Sequence, residues 1–106
     1  MDLFQDPEFQ ALIQEFLSQL ATRRESILKA RHREDWPEVA THAHKIAGCA
    51  ESYGFGEVGT LARECEKKIR GPESVRSMGP DLQAQLEALD SAIVEAVMPA
   101  QAASFG

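Results

Sequence analysis

Apolar residues recur every three or four positions along most of the chain, a spacing that predicts amphipathic α-helices. The first stripe comprises Phe9, Ile13, Phe16, Leu20 and Ile27, widened by Leu12 and Leu17. The next three stripes comprise Val39, Ala43, Ile46, Ala50 and Tyr53, then Val58, Leu61, Ala62, Cys65 and Ile69, then Leu82, Leu86, Leu89, Ile93 and Ala96. No segment alternates with a period of two, so we expect four helices and no strand.

Capping and breaking residues predict where these helices begin and end. Asp6 followed by Pro7 is typical of a helix start, and Asp35 with Glu38 three residues later resembles a capping box before the second helix. Gly54 is expected to end the second helix in a left-handed conformation. Residues 71–80 contain two Gly-Pro pairs and are expected to form a loop or an irregular turn.

Four amphipathic helices with short connections predict an all-α fold, an antiparallel up-down-up-down four-helix bundle. We expect this single domain to span residues 1–99, with the fourth helix ending at Pro99. A short extra helical turn at residues 1–5 is an open alternative at the N-terminus. The small and polar tail, residues 100–106, is expected to be disordered.

Length, charge and cysteine content exclude several classes of function. The chain has 106 residues, which is too few for a catalytic domain plus a partner domain. With 17 acidic and 11 basic residues its net charge is −6, which argues against a nucleic-acid partner. No apolar run is long enough to cross a membrane, and the N-terminus lacks a signal-peptide pattern. The two cysteines therefore favour reduced thiols in the cytoplasm.

The second helix carries two histidines whose environments are expected to differ. On a wheel of about 100° per residue, His44 lies roughly 140° from the centre of the apolar stripe, and His42 about 60° from it. We therefore expect His44 to face solvent and His42 to lie at the edge of the core. At neutral pH an unperturbed imidazole is mostly neutral and keeps one nitrogen lone pair available as a nucleophile.

The helical neighbours of His44 are unusually small. A glycine such as Gly48 inside a helix costs about 1 kcal/mol relative to alanine, and a solvent-facing position has no packing reason to accept that cost. We therefore predict that a partner approaches the helix backbone closely beside His44. The predicted docking surface comprises Ala40, Thr41, Ala47, Gly48 and Glu51.

These features belong to a longer pattern: Ala43-His44-Lys45-Ile46-Ala47-Gly48, followed by Gly54, Val58, Leu61 and Glu66. The pattern resembles the histidine phosphotransfer (HPt) domain of bacterial phosphorelays. In that family a histidine is followed by a glycine four residues later, a second glycine six residues further on, and a leucine-rich helix ending in Leu-Glu. The resemblance covers the two central helices, and it implies that His44 is the phosphoacceptor, phosphorylated on a ring nitrogen.

One position departs from the family pattern. The family usually carries a lysine three residues after the histidine, where this chain has Ala47. Lys45 is expected to supply the phosphate-supporting charge instead. A second register, with His42 as the acceptor and Lys45 three residues after it, places Ile46 where glycine is expected and turns the histidine toward the core, so we favour His44.

The resemblance implies a phosphocarrier rather than an enzyme. It would exchange a phosphoryl group with an aspartate in the receiver domain of a response regulator, a hybrid sensor kinase, or both. The acidic Mg²⁺ site would belong to the receiver domain, so we expect no cofactor in this chain, and we expect a monomer. The alternative is a helical docking module that binds a kinase or receiver domain and is never phosphorylated.

A metal site is not expected. His42 and His44 are two residues apart and point away from each other on a helix, and the sequence contains no Cys-x-x-Cys pair. Cys65 lies on the apolar stripe of the third helix and is expected to be a packing residue.

Overall fold

The computed structural model describes residues 6–71 and 79–103, with side chains described as far as Met98. In these residues the helices are α1 (Pro7–His32), α2 (Trp36–Ala50), α3 (Gly56–Arg70) and α4 (Gly79–Ala103), and a short 3₁₀ helix, Glu51–Tyr53, follows α2. Each helix packs against the next, and α4 packs back against α1. The described residues form a four-helix bundle without strands, as predicted.

The helix ends follow local hydrogen bonding. The side chain of Asp6 accepts a hydrogen bond from the Glu8 amide (2.9 Å), and that of Asp35 accepts one from the Glu38 amide (3.3 Å). Each bond satisfies an amide that has no partner inside the helix. Gly54 is left-handed, with φ 88°, and ends the 3₁₀ helix. The predicted capping residues are thereby confirmed.

Both links around α2 reverse the chain through the same bonding pattern, which lets three helices pack antiparallel. The bonds that close the two turns run from the Asp35 amide to the Ala30 carbonyl (2.8 Å) and from the Phe55 amide to the Ala50 carbonyl (2.9 Å). Each is the six-residue bond of a Schellman motif, which needs a left-handed residue just past the helix. Gly54 fills that position in the second link, whereas the first uses Glu34, with φ 58°.

The core lies along the predicted stripes. The largest side chains with almost no exposure are Leu20, Ile46, Leu82, Leu89, Ile93, Val39 and Cys65. Burial raises the pKa of the Cys65 thiol to about 12, so this thiol stays neutral and serves as a packing group. Leu12 was predicted to widen the buried stripe of α1, and this prediction is wrong, because the residue is 47% exposed. An Arg24–Asp90 ion pair (2.6 Å) joins α1 to α4 beside the core.

The C-terminal end of the bundle differs from the prediction. Helix α4 continues through Pro99 to Ala103, so the expected helix end at Pro99 is wrong, whereas the expected disorder of the tail, residues 100–106, stays a prediction. A proline removes one helical hydrogen bond, but Ala-Gln-Ala-Ala after it are good helix formers. The expected turn at residues 1–5, the loop residues 72–78 and the tail residues 104–106 lie outside the described residues. Among the helices that are described, none combines the length and apolar character needed to cross a membrane.

Candidate functional site

Helices α2 and α3 lie close together, which brings side chains on their exposed edges into contact. The approach depends on small residues at the interface. A Cβ atom added to Gly59 of α3 would lie 3.0 Å from Glu51 Cγ and 3.5 Å from Ala50 Cβ. Long polar side chains at the rim of this interface can therefore bond from one helix to the other.

His44 lies on this rim. Its side chain is 70% exposed, and its Nδ1 atom lies 3.0 Å from each carboxylate oxygen of Glu66 on α3. A carboxylate only accepts hydrogen bonds, so the neutral imidazole that fits this contact carries its proton on Nδ1. The lone pair of the ring is then on Nε2, at the opposite edge of the imidazole. Among the described residues, no partner for Nε2 is found.

The carboxylate of Glu66 is the centre of a wider polar cluster. Its side chain is only 17% exposed, and its Oε2 atom also lies 3.5 Å from Arg70 Nη1. The other end of the guanidinium, Nη2, donates to the Thr41 hydroxyl (3.4 Å). Thr41 is one helical turn before His44 on α2, so a chain of contacts connects the two helices around the histidine.

The rim continues on the other side of His44. Gly48, one turn later on α2, is exposed, and a Cβ atom added there would meet nothing within 4 Å. No contact inside the described protein therefore requires glycine at this position. Beyond it, Arg63 Nη1 on α3 donates to Glu51 Oε1 (2.8 Å) in the 3₁₀ helix that follows α2 and forms an ion pair with it.

His42 lies on the opposite flank of α2, toward α1. Its side chain is 18% exposed, its Nε2 atom is 3.7 Å from Glu38 Oε1, and its Nδ1 atom is 3.4 Å from Arg23 Nη1. Arginine only donates, so the ring accepts at Nδ1 and carries its proton on Nε2. The lone pair of His42 is thereby occupied, whereas that of His44 is not. The different exposures predicted for the two histidines are confirmed.

The predicted docking surface needs a correction. Thr41, Gly48 and Glu51 are exposed, but Ala40 and Ala47 are buried, with 0% and 5% exposure. These alanines lie between His44 and the core on the side of α2 that meets α3. Their small size is explained by close helix packing, so their side chains are not available to a partner.

Lys45 was predicted to support the phosphoryl group, and this role stays a prediction. The side chain is exposed, and in residues 6–71 and 79–98 no hydrogen bond or ion pair of its ammonium group is found. It lies one residue, about 100°, around α2 from His44. The Lys45 side chain therefore lies near His44 in sequence but points away from α3.

Sequence reasoning missed Arg70. The pattern that could have indicated it is the spacing of Glu66 and Arg70, which places opposite charges one turn apart on the polar side of α3. That spacing alone does not show that Glu66 faces a histidine 22 residues earlier. In the described parts of the chain, no group of three metal-ligating side chains is close enough to hold a metal ion.

Comparison with known proteins gives one match. The sequence profile of the Hpt domain matches residues 11–95, which is most of the chain. No curated protein and no solved structure matches the chain. Hpt domains interact with receiver domains and sensor kinases, and they act as phosphocarriers rather than as enzymes. The four-helix bundle and the matched profile agree: the chain belongs to the Hpt domain family and functions in histidine phosphotransfer within a phosphorelay.

Proposed function

We propose that His44 is the phosphoacceptor of this domain and that its Nε2 atom is the nucleophile. The observation that carries the proposal is the contact of Nδ1 with Glu66 at 3.0 Å, on a side chain that is 70% exposed. This contact fixes the ring and places its proton on Nδ1, which leaves the Nε2 lone pair toward solvent. A nucleophile held in one orientation loses less freedom in the transition state.

The transfer requires no proton movement by this chain. The Nε2 lone pair attacks the phosphorus of an aspartyl phosphate in a receiver domain, the bond from phosphorus to the aspartate oxygen breaks, and the aspartate leaves as a carboxylate. The imidazole ring becomes positively charged while it carries the phosphoryl group. The Glu66 carboxylate at Nδ1–H stabilises this charge as it develops. The reverse reaction follows the same path.

The exposed part of the α2–α3 rim supports docking of the receiver domain. Thr41, Gly48 and Glu51 surround His44 on this face, and the open space over Gly48 lets a partner approach the helix backbone. Lys45 adds a screened positive charge beside the histidine. The partner would be the receiver domain of a response regulator, a hybrid sensor kinase, or both, and the domain would work as a monomer in the cytoplasm.

The proposal is tested by phosphorylating the chain with a receiver domain that carries aspartyl phosphate. We expect label that is labile in acid and stable in alkali, as for a phosphohistidine. Trypsin leaves both histidines in the peptide 34–45, so the site has to be assigned with variants. His44→Gln should abolish the label, and the matched variant His42→Gln, two residues away on the same helix, should keep it.

Two results would overturn this assignment. If His44→Gln still accepts phosphate and His42→Gln does not, the acceptor is His42. If neither the wild-type chain nor any variant is labelled by receiver domains that bind it, the chain is a docking module that never carries phosphate. Circular dichroism of each variant shows whether the bundle is still folded.

A further inference from the structure

Arg70 is held at the edge of the α2–α3 interface by both helices. Its Nη1 atom lies 3.5 Å from Glu66 Oε2 on its own helix, and its Nη2 atom donates to Thr41 Oγ1 on α2 (3.4 Å). The Thr41 hydroxyl in turn donates to the Pro37 carbonyl (3.0 Å), so its lone pairs are left for the guanidinium. Two partners on different helices therefore fix where this cation lies.

The position of Arg70 places it beside the histidine. Thr41 is one helical turn from His44 on α2, and Glu66 holds the His44 ring at Nδ1. Both anchors of the guanidinium are thus neighbours of the imidazole. The Arg70 side chain is 53% exposed, and its guanidinium has further N–H donors besides the two that contact Thr41 and Glu66.

A phosphoryl group on His44 would need a positive charge at this place. The Glu66 carboxylate stabilises the imidazole ring, but it also repels phosphoryl oxygens that approach the same ring. Ala47 is neutral and buried, and Lys45 faces away from α3. Arg70 both neutralises Glu66 and presents a planar set of donors, the geometry that matches phosphate oxygens.

We propose that Arg70 is the phosphate-binding residue of this domain: its guanidinium, positioned by Thr41 and Glu66, binds the phosphoryl oxygens during transfer to and from His44. The inference rests on the proposed role of His44. It adds no bond-breaking step, since Arg70 donates hydrogen bonds to oxygens that carry their negative charge throughout the transfer.

Arg63 provides a matched control for the experiment. It lies on the same helix, is similarly exposed (47% against 53%), and pairs across the same interface with a glutamate, Glu51. It differs in having no contact with His44, Glu66 or Thr41. Arg70→Ala should slow phosphorylation of His44 by a phosphorylated receiver domain by about tenfold and shorten the lifetime of the phosphohistidine. Arg63→Ala should leave both within about twofold of wild type.

A second pair of measurements separates phosphate binding from docking. The affinity of Arg70→Ala for the unphosphorylated receiver domain, measured by titration, should fall much less than the transfer rate, and Arg70→Lys should recover part of the rate. The inference is overturned if Arg70→Ala transfers as fast as Arg63→Ala, or if its loss of affinity accounts for the whole loss of rate. Failure of the proposed function itself is distinguishable, because either His44→Gln would then still be labelled or the wild-type chain would not be labelled at all.

Discussion

The two flanks of α2 carry one histidine each, and the partners on the neighbouring helices give these histidines opposite properties. On the α1 flank, His42 is half-buried and accepts from Arg23, so its lone pair is occupied. On the α3 flank, His44 is exposed and contacts Glu66 through Nδ1, so its lone pair is on Nε2, for which the described residues provide no partner. The residue type is the same and the positions are two apart. The difference teaches that whether the lone pair of a histidine is occupied or available depends on whether its neighbour donates or accepts a hydrogen bond.

The largest effect is expected from closing the open space on the α3 flank. Gly48→Leu places a large side chain one turn from His44, so the affinity for a receiver domain should fall about tenfold or more because the partner can no longer approach the backbone. Thermal stability should hold or rise, since leucine is the better helix former. The control is Gly56→Leu, which also adds a side chain into open space, about 15 Å along α3 from Glu66. Equal affinity for the two variants, measured by titration, would show that Gly48 is not at the interface.

The next effect concerns the acceptor that orients His44. Glu66→Leu removes the partner of Nδ1–H, so the initial rate of phosphorylation should fall about tenfold, the value of one hydrogen bond to a charged group. Glu66→Gln keeps an acceptor oxygen, so its rate of phosphorylation should fall less than that of Glu66→Leu. Rapid-quench labelling measures both rates. If the leucine variant reacts as fast as wild type, Glu66 does not orient His44 for transfer, and the different hydrogen-bond partners of the two histidines do not explain their reactivity.

A smaller effect, on stability instead of transfer, is expected on the α1 flank. His42→Ala leaves Arg23 and Glu38 without their shared partner and should lower the free energy of unfolding by about 1 kcal/mol. His44→Gln should change it by about 0.5 kcal/mol or less, because the side chain is exposed. Urea denaturation followed by circular dichroism gives both values. The two flanks would not be functionally distinct if the His44 variant were the less stable one.

The smallest effect is expected for Lys45, which lies between the flanks. Its ammonium group is exposed and screened by salt, so Lys45→Ala should slow transfer by about threefold or less and leave receiver affinity nearly unchanged. The same rapid-quench experiment decides this. A loss as large as that expected for Arg70→Ala would make Lys45, and not the cluster on α3, the main source of positive charge at His44.

The helices and their ends could be predicted from local features of the sequence. The apolar stripes, the caps at Asp6 and Asp35 and the left-handed Gly54 each involve residues within a few positions of one another, and all are confirmed except for Leu12 in the first stripe. The different exposures of His42 and His44 also follow from one helix alone, since a wheel places them on opposite sides of its apolar stripe. The four-helix bundle and the solvent-facing placement of His44 were therefore determined by the sequence itself.

The features that depend on the packing of one helix against another were decided by the tertiary structure. The small size of the neighbours of His44 placed Ala40 and Ala47 in the predicted docking surface, but both are buried, because the width of a buried face is set by the helix that packs on it. Likewise, no local pattern joins His44 to Glu66, 22 residues later, or Thr41 to Arg70, 29 residues later. Local propensity shaped the helices, whereas close packing through small residues brought the Glu66 carboxylate to His44 and the Arg70 guanidinium to Thr41.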